Sequence, residues 1–305
     1  MPARTLGAAP AADLAERAAS RGGAPMPRRR LRLLTIAGSD SGGGAGIQAD
    51  LRTFAAHGAY GMTAITALTA QDTQEVWSVH EVPPAMVAAQ IDAVLRDIGA
   101  DAVKIGMLAG AETARVVAGR LRAYLASGVP AGAPPLPIVL DPVMLAKGGM
   151  PLLAGDAVAV MAGELLPLAT LVTPNIPELE RLTGLPAAGE EERRRAAEAL
   201  AARGPAVLAK GGHAAAQAGE PVVDLLVAGG LCHRFAHPRL ASRSTHGTGC
   251  TLSSAIAVRL AAGEDLPLAV GGAIAYLHGA IAAAVPLGGG CGPVDHLYQM
   301  KGRAG

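Results

Sequence analysis

The stretch "LRLLTIAGSDSGGGAGIQADLRTFAAHG", residues 31–58, joins three kinds of chain. Residues 31–38 form a short apolar run with β-branched Thr35 and Ile36, closed by Gly38, and read as a buried strand. Residues 47–58 place Ile47, Leu51, Phe54 and Ala55 at spacings of four, three and one. That is a helix, and Gly58 stops it. Between them lie glycines 42, 43, 44 and 46, which let backbone amides approach a ligand. The loop matches neither GxGxxG nor GxxxxGK[ST]. Its residues alone fit a mobile loop as well as a ligand loop.

The alternation continues to the end of the chain. Strands are expected at 61–70, 101–108, 136–144, 169–175 and 205–212, with two shorter ones at 222–229 and 231–240 around a Gly-Gly turn. Helices are expected at 83–99, 111–126, 154–167, 176–184 and 190–204. The first of these aligns Met86, Val87, Ile91, Val94, Leu95 and Ile98, and two more helices close the chain. Repeated strand–helix units with apolar strands predict an α/β fold, a mostly parallel sheet covered on both faces. In such sheets ligands sit beyond the carboxyl ends of the strands. The Pro-rich stretch 131–137 is too short for a boundary, so residues 31–305 read as one domain.

Composition excludes several classes. Lys plus Arg is 26 against 25 for Asp plus Glu, and aromatics are 2%, so neither an electrostatic nor a stacking surface for nucleic acid is indicated. Three scattered cysteines imply no disulfide framework or zinc site, and suit the reducing cytoplasm. Residues 267–287 are long enough to span a bilayer, but Ala and Gly dominate them, so a buried helix is expected and no membrane association. Residues 1–30 are rich in Ala, Arg, Gly and Pro without periodicity. They read as a disordered tail or an overextended start before Met26, since Asp13 and Glu16 weaken a transit-peptide reading.

Polar residues gather just after strands. "TAQDT" (69–73) offers the Gln71 carboxamide to a heterocycle, or is a plain turn. Asp141 ends one strand and could face Mg²⁺ near phosphates. Asn175 and Glu178 have helix-capping spacing as well as chemistry suited to a phosphate site. In "THGTGCTLS" (245–253), Gly247, Thr248 and Gly249 lead into a helix whose free amides suit an anion. Cys250 there is either a small helix-start residue or a thiol activated by the helix terminus. Together these groups fit ATP-dependent phosphoryl transfer to a small hydroxyl compound.

Six segments in order sharpen this: residues 34–73, "KIGML", "VLDPVMLAKGG", "TPNIPELERL", "LAKGGH" and "THGTGCTLSSAIA". From about residue 31 to the end, the chain closely resembles the hydroxymethylpyrimidine/phosphomethylpyrimidine kinases of thiamine biosynthesis, in the ribokinase-like superfamily. The resemblance implies a three-layer α/β/α sandwich with a central mainly parallel sheet, assembled as a homodimer. It implies two ATP-dependent steps in one site, from 4-amino-5-hydroxymethyl-2-methylpyrimidine to its monophosphate and then its diphosphate. By position, Asp50 and Gln71 would contact the pyrimidine, with Gly38, Met107 and Val143 lining its pocket. Asp141 and Glu178 would serve Mg²⁺, through water, with K⁺ a candidate helper. Asn175 and Lys210 would contact nucleotide phosphates. Gly247, Thr248, Gly249 and Cys250 would form the catalytic anion hole, with Cys250 as base in the first step. The loop "SDSGGGAG" lacks the proline common in the family, which predicts a looser loop. A lid is expected around residues 146–153. The rivals are a pyridoxal kinase of the same superfamily and, from another class, a non-catalytic pyrimidine sensor.

Overall fold

Thr35 and Lys104 are neighbours in a sheet whose other buried residues are almost all apolar, and the fold is arranged around that exception. In this computed structural model the described residues are 30–127, 135–144, 155–212 and 220–300. The expectations for residues 1–29 and for a lid at 146–153 lie outside them. The strands are β1 Arg32–Ala37, β2 Tyr60–Ile65, β3 Ala67–Gln71, β4 Val76–Glu81, β5 Ala102–Ile105, β6 Ile138–Leu140, β7 Leu171–Val172, β8 Ala206–Ala209, β9 Val222–Ala228 and β10 Leu231–His237. The helices are α1 Gly46–Ala56, α2 Pro84–Asp97, α3 Ala111–Ala126, α4 Gly155–Val160, α5 Ile176–Thr183, α6 Glu190–Ala201, α7 Thr248–Ala261 and α8 Leu266–Ala282. After α4 the chain widens into a π-turn, Met161–Leu165. None of the helices among the described residues is long and apolar enough to cross a membrane.

Eight strands form one sheet in the order β10-β9-β8-β7-β6-β5-β1-β2. Every pair from β2 to β8 is parallel, and only β9 and β10 run antiparallel to their neighbours. Because side chains alternate along a strand, each contributes to both faces. Leu34, Ile36, Val103, Ile105 and Leu140 pack under α2, α3, α4, α5 and α6. Leu33, Ala102, Val139, Leu171 and Leu208 pack under α1, α7 and α8. The expected three-layer sandwich is present, and Leu31–Gly305 forms one unit. One strand expectation fails. Residues 61–70 are two strands, β2 in the main sheet and β3, which pairs with the unanticipated β4 in a separate ribbon.

The polar exception binds the second face together. Lys104 is fully buried, and its ammonium donates to both Asp50 oxygens at 2.9 Å. Asp50, on α1, also accepts from Thr35 Oγ1 of β1 at 2.6 Å and Ser254 Oγ of α7 at 2.7 Å. Burial alone would lower the Lys104 pKa, but the neighbouring negative charges, Asp50 foremost, raise it above its ordinary value. Two strands and two helices therefore meet on one carboxylate.

Removing one partner of such a pair leaves an uncompensated buried charge. Asp50→Ala should cost about 3–5 kcal/mol of stability in urea unfolding followed by circular dichroism. A loss under about 1 kcal/mol would mean that the pair does not hold this layer.

Candidate active site

Parallel strands all end on the same edge, so the residues that follow them form a row. Gly38 follows β1, Met107 lies beyond β5, Asp141 follows β6, Asn175 lies beyond β7 and Lys210 follows β8. The sheet order sets them in the sequence Lys210, Asn175, Asp141, Met107, Gly38. Four strand spacings of ~4.8 Å make this row about 19 Å long. A cavity of about 860 Å³ runs over it, lined by all five residues and by Gln71, Val143, Glu178, Gly247, Thr248, Gly249 and Cys250. Every expected site residue except Asp50 is on its wall.

Asp50 is a correction. Its carboxylate is fully buried behind the wall and taken up by Lys104, Thr35 and Ser254. It holds Lys104, which does line the cavity. A lysine inside an apolar strand was the available signal for this residue, and the motif reading passed over it.

The glycine loop is also tighter than its missing proline suggests. Asp40 accepts from the amides of Gly42, Gly44 and Ala45 at 2.8–2.9 Å, and His246 Nε2 lies 2.9 Å from its Oδ2. Burial alone would raise the Asp40 pKa, yet His246 and these amides hold it below the usual carboxylate value. Gly46, at φ +55°, begins α1, and a Cβ there would lie 2.4 Å from the Gly38 carbonyl oxygen. An ionised side chain thus supplies the constraint expected of proline.

Gly247, in the left-handed region at φ +75°, turns the chain into α7. A Cβ there would lie 1.8 Å from the Gly44 carbonyl oxygen, so only glycine fits. The amides of Thr248, Gly249 and Cys250 belong to the first helical turn and have no acceptor within the helix. At Gly249 a Cβ would fill the space 3.3 Å from both Asp141 Oδ2 and Lys210 Nζ. Free amides, a lysine and a site cleared of side chain make a cradle for a phosphate-sized anion.

Lys210 Nζ donates to Asp141 Oδ1 at 2.9 Å and stands 4.0 Å from Glu178 Oε2. Thr173 Oγ1 donates to the same Asp141 oxygen at 3.1 Å. Asn175 and Glu178 do form the capping box: Asn175 Oδ1 accepts from the Glu178 amide at 3.0 Å, and Glu178 Oε2 accepts from the Asn175 amide at 2.7 Å. The capping reading holds, and the cap sits on the cavity wall. Burial pushes the Glu178 carboxyl up to about 7; Lys210 opposes this and Asp141 adds to it. Among the described residues no group of three or more acidic, His or Cys side chains could enclose a metal. Two carboxylates beside a phosphate cradle fit a Mg²⁺ that keeps waters and phosphate oxygens as most of its ligands.

Cys250 does not arrive activated. Its Sγ accepts from the Gly46 amide, and Lys104 lies nearby, both of which favour thiolate. Burial acts the other way, with Asp50 and Asp141, and pushes the thiol up to about 11. A helix terminus contributes about 0.3–1 kcal/mol, under one pKa unit. Desolvation can contribute several units, so burial outweighs the helix start, and of the two readings the small helix-start residue is favoured.

A family model described as phosphomethylpyrimidine kinase matches residues 40–295. The chain belongs to this family. The thiamine biosynthesis bifunctional protein ThiED of Geobacter sulfurreducens is 52% identical over 91% of this chain, which spans 54% of that longer protein. The hydroxymethylpyrimidine/phosphomethylpyrimidine kinase of Streptomyces coelicolor is 50% identical over 88% of this chain and 95% of its own. Among solved structures, the phosphomethylpyrimidine kinase of Clostridium difficile 630 is 40% identical, with a TM-score of 0.70, over 82% of this chain and 98% of its own. A Bacillus subtilis pyridoxal kinase in complex with ADP is 33% identical, with a TM-score of 0.80, over 89% and 99%. The ribokinase-like fold expected for the family is the fold observed.

The thiolate fraction grows as pH rises through the thiol pKa, so alkylation of Cys250 should keep accelerating to about pH 11. Iodoacetamide labelling read peptide by peptide separates it from Cys232 and Cys291. A plateau near pH 7–8 would restore the activated thiol.

Proposed function

We propose that this kinase transfers phosphoryl groups from ATP to 4-amino-5-hydroxymethyl-2-methylpyrimidine, giving the monophosphate and then the diphosphate for thiamine biosynthesis. The observation that carries this reading is the single cavity that holds an anion cradle at one end and a ring slot at the other, in a chain of the phosphomethylpyrimidine kinase family. At the ring end, Gln71 offers a paired donor and acceptor, while Met107, Val143 and Gly38 supply apolar walls. At the other end, Lys210 and the amides of Thr248, Gly249 and Cys250 oppose the charge on the transferring group, and Asn175 adds a polar contact. Asp141 and Glu178 would hold Mg²⁺ through water, and Mg²⁺ supplies neutralisation of phosphate charge. K⁺ stays a candidate helper ion.

Cys250 is the base of the first step in this reading. Burial favours the thiol over the thiolate, so this base is strong but present in small amount near neutral pH. The second step attacks with a phosphate oxyanion and needs no such group. The same reading places the enzyme in the cytoplasm as a homodimer, with residues 31–305 as one catalytic domain behind a tail of residues 1–30.

A second acceptor has a specific observation behind it. A Staphylococcus aureus pyridoxal kinase solved with AMP-PCP superposes with a TM-score of 0.78 over 89% of this chain. Pyridoxal as a side substrate fits the same slot. A sensor without catalysis fits less well, because Asp141, Glu178, Lys210 and Cys250 are all present on the wall.

With ATP, Mg²⁺ and the pyrimidine monophosphate as sole acceptor, mass spectrometry should find the diphosphate. Its absence, with pyridoxal still phosphorylated, would make this a single-step vitamin kinase, and no turnover of any acceptor would favour the sensor. Cys250→Ala should slow the first step by about 10²–10⁴-fold and the second step much less, and the first step should rise with pH from 7 to 9 in the wild type. Equal losses in both steps would leave Cys250 a positioning residue.

A further inference from the structure

The hydrogen bonds around Gln71 raise a question of proton accounting. One end of its carboxamide lies 3.2 Å from His246 Nε2, and the other lies 3.3 Å from Thr69 Oγ1. The nitrogen and oxygen of a carboxamide are told apart by what they face. His246 Nε2 also lies 2.9 Å from Asp40 Oδ2, which already accepts from the amides of Gly44 and Ala45. An ionised carboxylate only accepts, so the proton in that contact belongs to His246 Nε2. This nitrogen then has no lone pair for Gln71. Placed with its NH₂ group toward the histidine, the amide would set donor against donor.

The other end gives the same answer independently. Thr69 Oγ1 has one proton, and it donates that proton to the Ser39 carbonyl oxygen at 2.8 Å. Toward Gln71 it has only lone pairs to offer. It therefore faces the NH₂ group, and His246 faces the oxygen.

We infer that His246 and Thr69 are positioning residues that lock the Gln71 carboxamide with its oxygen on the His246 side and its NH₂ on the Thr69 side, so that the pocket selects a ring edge with an amino group beside an acceptor nitrogen. The inference rests on the proposed pyrimidine reading and deepens it. All three side chains line the cavity. The oxygen keeps a second lone pair, and the nitrogen keeps a second N–H. They form an acceptor and a donor in fixed order. A 4-aminopyrimidine presents the complementary order. Its 4-oxo counterpart presents a carbonyl and a ring N–H, the reverse order, and meets donor with donor and acceptor with acceptor. A glutamine free to turn over would serve both, so selection requires the clamp. Asp40 secures one half of it by fixing the His246 proton. The Ser39 carbonyl secures the other half by engaging the Thr69 proton.

The test compares kcat/KM for 4-amino-5-hydroxymethyl-2-methylpyrimidine with that for its 4-oxo counterpart, measured by ADP release. The wild type should prefer the amino compound by at least about a hundredfold, and Thr69→Val should reduce that ratio by about tenfold or more. Thr69→Ser keeps the hydroxyl and should restore it. His246→Leu should reduce the ratio as Thr69→Val does, and if it fails to fold the two threonine variants decide. A purely structural role would lower both substrates together and leave the ratio unchanged, which overturns the inference. A wild type that uses both rings equally overturns it as well. A wild type that phosphorylates neither ring removes the pyrimidine reading itself, and the inference falls with it.

Discussion

A fully buried lysine stands at the centre of this molecule, and its carboxylate partner decides where four elements meet. Lys104 and Thr35 come from adjacent strands, Asp50 from α1 and Ser254 from α7. Buried ion pairs often contribute little net stability compared with a well-packed apolar replacement. What this one contributes is position. It sets α1 and α7 side by side over the sheet, so their first turns reach the same edge. Gly46 and Gly247 begin those turns, and each has room only because it is glycine. The Gly46 amide meets Cys250, and the Gly44 carbonyl oxygen meets Gly247. The anion cradle is therefore a product of the layer beneath it.

Much of this was legible in the chain. Strand and helix patterns located the layers because a parallel sheet buried on both faces needs continuous apolar runs, and residues 31–37 and 205–209 provide them. The site residues were legible for a related reason: a parallel sheet brings every post-strand residue to one edge, and Gly38, Asp141, Asn175 and Lys210 each follow a strand. Residues 61–70 misled because β-branched Thr63, Ile65, Thr66 and Thr69 recur among apolar residues with no turn signal between them. The break comes at Thr66, whose buried hydroxyl donates to the Met107 carbonyl oxygen at 2.6 Å. That contact spans 41 positions, and no local pattern carries it. Strand β4 was missed because its ribbon has little buried face: Trp77 is 70% exposed.

Asp50 and Cys250 show two limits of a different kind. The helix register of Asp50 is plain from the sequence, but a carboxylate one helix turn below the edge can point to the cavity or across the layer. The lysine on β5 decides which. At Cys250 the sequence displays the helix terminus, which favours thiolate, and conceals the burial and the two carboxylates that oppose it. The effect visible in one dimension was the smaller one.

The ribbon of β3 and β4 belongs to neither helix layer and is not part of the main sheet. It carries Thr69 and Gln71 to the cavity and is tied to the glycine loop through Ser39 and Ser41. The phosphate end, by contrast, is built into the sheet edge and the start of α7. Thr69 and Gln71 thus reach the cavity on a support of their own, while Gly38, Met107 and Val143 reach it from the sheet edge. Under the proposed reading the ribbon is an interchangeable part: changes at Thr69 and Gln71 would alter ring contacts while Lys210 and the first turn of α7 keep their places.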